Sequence, residues 1–166
     1  MIFITVGTQA PFDRLIKLID EWAKGQDIKC FAQIANSKYK PKNIEFKTFL
    51  TEQEFTAVFE KATLIISHAG MGTIISSLRE NKVILTLPRL AKFKEHRNNH
   101  QIATTRAFSE KGFIPFIPPI VVNRIHPIVE TAKSLLTYNS PQFRSTGRED
   151  SDRDTAKVFS DLFQYI

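Results

Sequence analysis

A single cysteine, Cys30, stands in a chain of 166 residues, so no internal disulfide can form and no cysteine-rich zinc site can be built. Its place inside an apolar run makes it a small core residue. No apolar run approaches the roughly 20 residues that a membrane-spanning helix requires. The opening Met1-Ile-Phe-Ile-Thr-Val-Gly is too short for a secretion signal and lacks a basic leader, so it reads as a first strand, and the chain is expected in the cytoplasm. Internal repeats and low-complexity tracts are missing too.

What is present is a globular composition, 42% apolar and 24% charged, in a length that suits one domain with a real core. The formal charge of +6 would favour nucleic acid, an anionic membrane surface or a phosphorylated substrate, and does not choose among them. The aromatic residues argue against nucleic acid, because most of the phenylalanines fall on predicted core faces and not among the basic residues.

Apolar, β-branched runs predict strands at 2–6, 29–34, 44–49, 64–67, 83–88 and 113–117. Helical periodicity predicts helices from Phe12 to about Lys24, from Thr51 to about Lys61, over 73–80, over 95–111 and over 126–137. Thr51 with Glu54 three residues on forms a capping box, and Asn81 is the expected stop of the third helix. Strands alternating with helices predict an α/β fold, a Rossmann-like parallel sheet with helices on both faces. The expected organisation is one Rossmann-like domain over 1–137, a polar tether over 138–154, and an amphipathic helix over 155–166 with Val158, Phe159, Leu162, Phe163 and Ile166 on one face.

The chain is organised around Leu64-Ile-Ile-Ser-His-Ala-Gly-Met-Gly-Thr-Ile-Ile75, a buried strand, a tight turn and a helix beginning near Thr73. Glycines at 70 and 72 would let backbone N–H groups approach an anion, and the helix start adds its dipole and unpaired donors. The Thr73 hydroxyl would cap the helix or bond the ligand. Such a turn also occurs in α/β proteins with no ligand there. A second polar cluster, Pro88-Arg89 followed by Glu95-His-Arg-Asn-Asn-His-Gln101, comes one strand later and would share the same sheet edge, where open α/β folds bind ligands.

Several chemistries lack their marks. Gly-x-Gly-x-x-Gly does not follow the first strand, and Walker and Gly-x-Ser-x-Gly sequences are missing, which removes dinucleotide oxidoreductases, Walker-type nucleotidases and serine hydrolases. His96 and His100 are four apart, a spacing that can hold zinc, but the sequence is not His-Glu-x-x-His and a third ligand would have to come from His68 or His126. Hydrogen bonding to hydroxyl groups suits this histidine- and amide-rich segment better.

Val6-Gly-Thr, Ser67-His-Ala-Gly-Met-Gly-Thr-Ile, Pro88-Arg89 and Glu95-His-Arg-Asn-Asn-His-Gln together resemble the C-terminal, donor-binding half of family 28 glycosyltransferases. Among its members the chain resembles the small bacterial exopolysaccharide transferase subunits of the PssE type and the eukaryotic Alg13-like subunit. The resemblance covers roughly 1–117. It implies one half of a GT-B glycosyltransferase that binds a nucleoside-diphosphate sugar, most often UDP-linked, with no metal or other cofactor, and transfers the sugar in surface polysaccharide synthesis. It places Gly70, Met71, Gly72 and Thr73 at the diphosphate and ribose, with Gly7 and Thr8 bordering the diphosphate. His68 would lie beside the nucleotide, His100 and Gln101 would grip the donor sugar's hydroxyls, and Glu95 and Asn99 count among the donor-binding residues. His68 and Arg89 are the candidate catalytic groups, stabilising the leaving diphosphate. Where relatives carry an acidic ribose contact, this chain has Ser76.

A two-domain enzyme needs an acceptor half, and a chain of this length has material for one half only. The expected partner is a membrane-associated, acceptor-binding subunit of the PssD or Alg14-like kind, presenting a lipid-linked saccharide acceptor and holding this chain at the inner face of the membrane. The alternative is a nucleotide-sugar-binding module with no transferase activity of its own, regulatory or structural.

Overall fold

The computed structural model describes residues 1–110 and Ile114. The expected strand at 113–117, the helix at 126–137, the tether at 138–154 and the helix at 155–166 lie outside the described residues. In chain order the elements are β1 (Ile2–Thr5), α1 (Asp13–Ala23), β2 (Cys30–Gln33), β3 (Glu45–Lys47), α2 (Glu52–Lys61), β4 (Leu64–His68), α3 (Met71–Arg79), β5 (Val83–Leu87), a short 3-10 turn (Ala91–Phe93) and α4 (His100–Glu110). All pairings in the sheet are parallel, in the order β3-β2-β1-β4-β5. This is the expected Rossmann-like sheet.

The alternation of side chains along each strand divides the core in two. Ile2 and Ile4 of β1, Val6 just after it, Leu64 and Ile66 from β4, and Leu85 and Leu87 from β5 pack with Leu15, Ile16, Ile19 and Trp22 of α1. On the other face Phe3, Ile65 and Ile84 pack with Phe59 of α2, Ile74 of α3 and Ile114. Phe3 meets Phe55 edge-on at 5.3 Å. Each such fully buried side chain contributes about 1.5–3 kcal/mol.

The capping box forms as the sequence predicts. Glu54 N–H donates to Thr51 Oγ1 at 3.2 Å, and Thr51 N–H donates to Glu54 Oε2 at 2.9 Å. Asn81 ends α3 in the left-handed region at φ +50°. Asp20 is 1% exposed on α1 and carries the β2–β3 connector: Tyr39 Oη, Lys42 N and Asn43 N all donate to its carboxylate at 2.7–2.9 Å. Burial would raise its pKa, yet these donors outweigh burial and hold it below the usual carboxylate value, while the same contact pushes the Tyr39 phenol up to about 12.

Three expectations need correcting. The third helix starts at Met71 with Gly70 as its N-cap and no side-chain cap, so Thr73 lies inside it. The strand expected at 44–49 shortens to Glu45–Lys47, and all three residues are exposed because β3 is the sheet edge. The helix expected over 95–111 begins only at His100. Lys94 sits at φ +58°, a conformation that no α-helix passes through, and side chains from 95 and 99 hold the preceding backbone in a loop.

Candidate functional site

Parallel strands end together here. Thr5 of β1 lies beside Ser67 of β4, and His68 beside Leu87 of β5. From β1 the chain crosses to β2 on one side, and from β3 it crosses back to β4 on the other, which leaves a crevice between the β1 and β4 ends. A cleft of about 340 Å³ occupies that place, walled by the loop after β1, the start of α3, Arg89, His96 and the first turn of α4.

His68 organises its floor. A Cβ built on Gly70 would fall 2.3 Å from His68 Nε2, and one built on Gly7 would fall 3.0 Å from His68 Cε1. The imidazole is therefore wedged between two glycines: the ring leaves no room for a Cβ at Gly70 and only a tight fit for one at Gly7. Gly7 has a second reason, its φ of +73°, which a residue with a Cβ adopts only at a cost. Around Gly72, by contrast, a Cβ would meet nothing within 4 Å. That glycine faces open cleft. Beside it the α3 N-terminus presents backbone donors that no side chain caps; the first intrahelical bond is Ile74 N–H to Gly70 O at 3.2 Å.

Burial, then the neighbouring Arg89 charge and His96, lower the His68 pKa to about 4, against a smaller opposing effect of the Thr5 backbone. At neutral pH the ring is uncharged. Arg89 is 3% exposed. Its Nη2 donates to Val6 O at 2.8 Å and Ala10 O at 2.6 Å, and its backbone N–H donates to Gln101 Oε1 at 3.0 Å. One side chain thus ties the end of β5 to both ends of the loop after β1, and Gln101 ties α4 to the same point. Gln33 supports that loop from below, donating from Nε2 to Gly7 O at 3.1 Å. Burial lowers the guanidinium pKa while Glu95 acts against the shift.

A family model described as the glycosyltransferase family 28 C-terminal domain matches residues 1–113. The chain belongs to this family. No curated protein matches it significantly. Among solved structures, this family 28 domain is similar to the glycotransferase of kitacinnamycin (18% identity, TM-score 0.59, 99% of this chain and 42% of that one). It is also similar to Acinetobacter baumannii MurG (15%, 0.55, 96% and 49%) and to the glycosyltransferase SnogD from Streptomyces nogalater (15%, 0.51, 96% and 39%). At these identities the likeness is one of fold, and the chain spans less than half the length of each.

Of the residues singled out from sequence, the family 28 domain brings His68, Arg89, Gly7, Thr8, Gly70, Met71, Gly72, Thr73, His100 and Gln101 together on the cleft wall. Glu95 and Asn99 are not on it. Glu95 receives Arg14 Nε at 2.6 Å and Arg14 Nη2 at 2.8 Å, and also Leu90 N–H at 2.9 Å; Asn99 Oδ1 receives Ala91 N–H at 2.9 Å. Both side chains are spent on shaping the loop before α4. Ser76 is exposed on α3 and away from the cleft. Gln9, His96 and Thr104 line the wall without having been singled out as contacts. Their signals were adjacency to Gly7-Thr8 for Gln9, membership of the polar cluster for His96, and a spacing of four from His100 for Thr104.

Proposed function

We propose that this domain holds the nucleoside-diphosphate sugar donor, UDP-linked, of a glycosyltransferase that builds surface polysaccharide. One observation carries the reading: a cleft at the strand-order reversal whose lining contains an uncapped helix start, an arginine and three histidines, and no carboxylate among the described residues. A diphosphate brings two negative charges, and such a wall favours them.

In the reading, backbone N–H groups at the start of α3 take the diphosphate, with Gly72 leaving room and Gly7 and Thr8 closing from the loop after β1. The sugar lies toward Gln101 and His100. As the bond between the anomeric carbon and the diphosphate oxygen breaks, the charge left on the diphosphate meets the helix dipole, the fixed Arg89 charge and a hydrogen bond from His68. Arg89 works through its field and by holding the loop, because its Nη2 is committed to Val6 and Ala10.

The acceptor half belongs, in this reading, to a membrane-associated partner that presents a lipid-linked saccharide. Met71 and Ile75, one turn apart on α3, are 48% and 44% exposed and give an apolar rim beside the cleft for that partner. Among the described residues no helix is long and apolar enough to cross a membrane. The 155–166 segment is the second proposed docking element.

Calorimetry with UDP, UDP-sugars and a single-stranded oligonucleotide tests the donor reading, with saturable binding expected for the first two only. Absence of binding by UDP and its sugars would end it. Transfer to a lipid-linked acceptor after co-expression with the partner separates the enzyme from a non-catalytic binding module.

A further inference from the structure

Asn98 links two histidines of the cleft wall by hydrogen bonds. Asn98 backbone N–H donates to His96 Nδ1 at 3.4 Å. The Asn98 side-chain Oδ1 accepts the backbone N–H of His100 at 3.3 Å and also contacts His100 Nδ1. The two imidazoles stand edge to face with centroids 4.6 Å apart. Both histidines line the cleft, His96 half-buried and His100 exposed.

Taken as hydrogen bonds, these contacts select one tautomer of each neutral ring. A backbone N–H can only donate, so the Asn98 atom facing His100 is the amide oxygen and not the amide nitrogen. An oxygen of that kind can only accept, so its contact with His100 Nδ1 is a hydrogen bond when the ring carries its proton on Nδ1, which leaves Nε2 as a bare lone pair. At His96 the logic runs the other way: Nδ1 already accepts from the Asn98 backbone, so the neutral ring carries its proton on Nε2. The two side chains therefore expose opposite functions, an N–H at His96 and an acceptor at His100.

We infer that Asn98 is a positioning residue that sets His96 and His100 in complementary tautomers, and that the resulting donor–acceptor pair reads two neighbouring hydroxyl groups of the donor sugar. The His96 N–H donates to one hydroxyl oxygen, and the second hydroxyl donates to His100 Nε2. A hydroxyl is both donor and acceptor, so two adjacent hydroxyls satisfy the pair fully, whereas a single methylene in place of either leaves one ring nitrogen without a partner. This role rests on the donor-domain reading above and adds to it a determinant of sugar selectivity that Gln101 alone does not supply.

The test uses the full chain labelled with 15N at histidine, with long-range proton–nitrogen correlation at pH 8. His100 is expected as the Nδ1–H tautomer and His96 as the Nε2–H tautomer. In Asn98→Ala the His100 ring should relax to a mixture while His96 keeps its tautomer, since its partner is backbone; Asn98→Asp, which still accepts, should restore His100. Calorimetry on the same proteins compares UDP with UDP-glucose, UDP-galactose and UDP-xylose. Asn98→Ala should leave UDP affinity unchanged and reduce the advantage of the preferred sugar nucleotide over UDP about fivefold, the value of one hydrogen bond. Mixed tautomers in the unmodified protein, equal losses for UDP and UDP-sugar, or no sugar binding better than UDP would overturn the inference while UDP binding upholds the donor-domain reading. Failure of UDP itself to bind would instead defeat that reading, whatever the tautomers.

Discussion

Replacing Gly72 with alanine should make the protein more stable and a worse nucleotide binder. Gly72 lies in the first turn of α3, and a Cβ there meets nothing within 4 Å. Alanine is favoured over glycine in a helix by up to about 1 kcal/mol, chiefly through the unfolded chain. For a domain of this size that gain corresponds to a rise in Tm of about 2–4 °C. The same methyl projects into the cleft beside the uncapped N–H groups. Losing one hydrogen bond to a charged group costs about 1.5–3 kcal/mol, or roughly 10- to 150-fold in affinity for UDP. Gly70→Ala is the contrast. Its Cβ would fall 2.3 Å from His68 Nε2, so the ring must move and both Tm and affinity should fall. Scanning calorimetry and titration calorimetry on the two variants measure both quantities. Unchanged UDP affinity in Gly72→Ala, or a parallel fall in stability, would refute the assignment of this glycine to the ligand.

Three other perturbations follow from the geometry. The His68 pKa of about 4 lies below the ordinary 6.5, so as pH falls from about 6.5 to about 4 the unfolded state takes the proton first and about 3 kcal/mol of stability is lost; His68→Gln should remove that part of the slope in urea titrations at pH 7.5 and 4.5, and an identical slope would contradict the buried, neutral ring. Glu95→Ala strands the Arg14 guanidinium, whose side chain is 12% exposed, and should cost about 3–5 kcal/mol in chemical denaturation; a loss below 1 kcal/mol would place the pair among surface ion pairs. Gln101→Ala leaves the buried Arg89 N–H without its acceptor and should cost about 1–3 kcal/mol of stability as well as several-fold in UDP-sugar affinity, with UDP alone nearly unchanged; full stability in the variant would show that Gln101 faces only the ligand.

The sheet and most of its helices could be read from local pattern, because strand periodicity, the Thr51–Glu54 box and the Asn81 stop are each decided within a few residues. The ends of three strands and the start of α3 then brought the glycine turn and the Arg89 and His100-Gln101 positions to one edge, as the alternating order predicts. What the local pattern could not reveal was assigned by side-chain packing and by distant partners. Gly70 lines the cleft as expected, and the fold adds that a Cβ there would strike the His68 ring. Glu95 reads as a ligand contact until Arg14, 81 residues earlier, takes both carboxylate oxygens. The 95–99 segment reads as helix because its composition permits one; the left-handed Lys94 and the bonds from Glu95 and Asn99 to the turn at Ala91 stop it.

The Arg89 tie has a consequence for the order in which the molecule can be built. Its bond to Val6 joins residues 83 apart, and β1 pairs with β4, from Ile2–Leu64 to Thr5–Ser67, across a similar stretch of chain. Loop-closure entropy must be met before either contact stabilises anything. During synthesis, therefore, α1 and β2 can pack against β1 early, while the cleft lacks its α4 wall until Gln101 has left the ribosome and docked on Arg89. Closure of the cleft is then a late event in the folding of the described residues, and any ligand that needs the whole wall must wait for that docking.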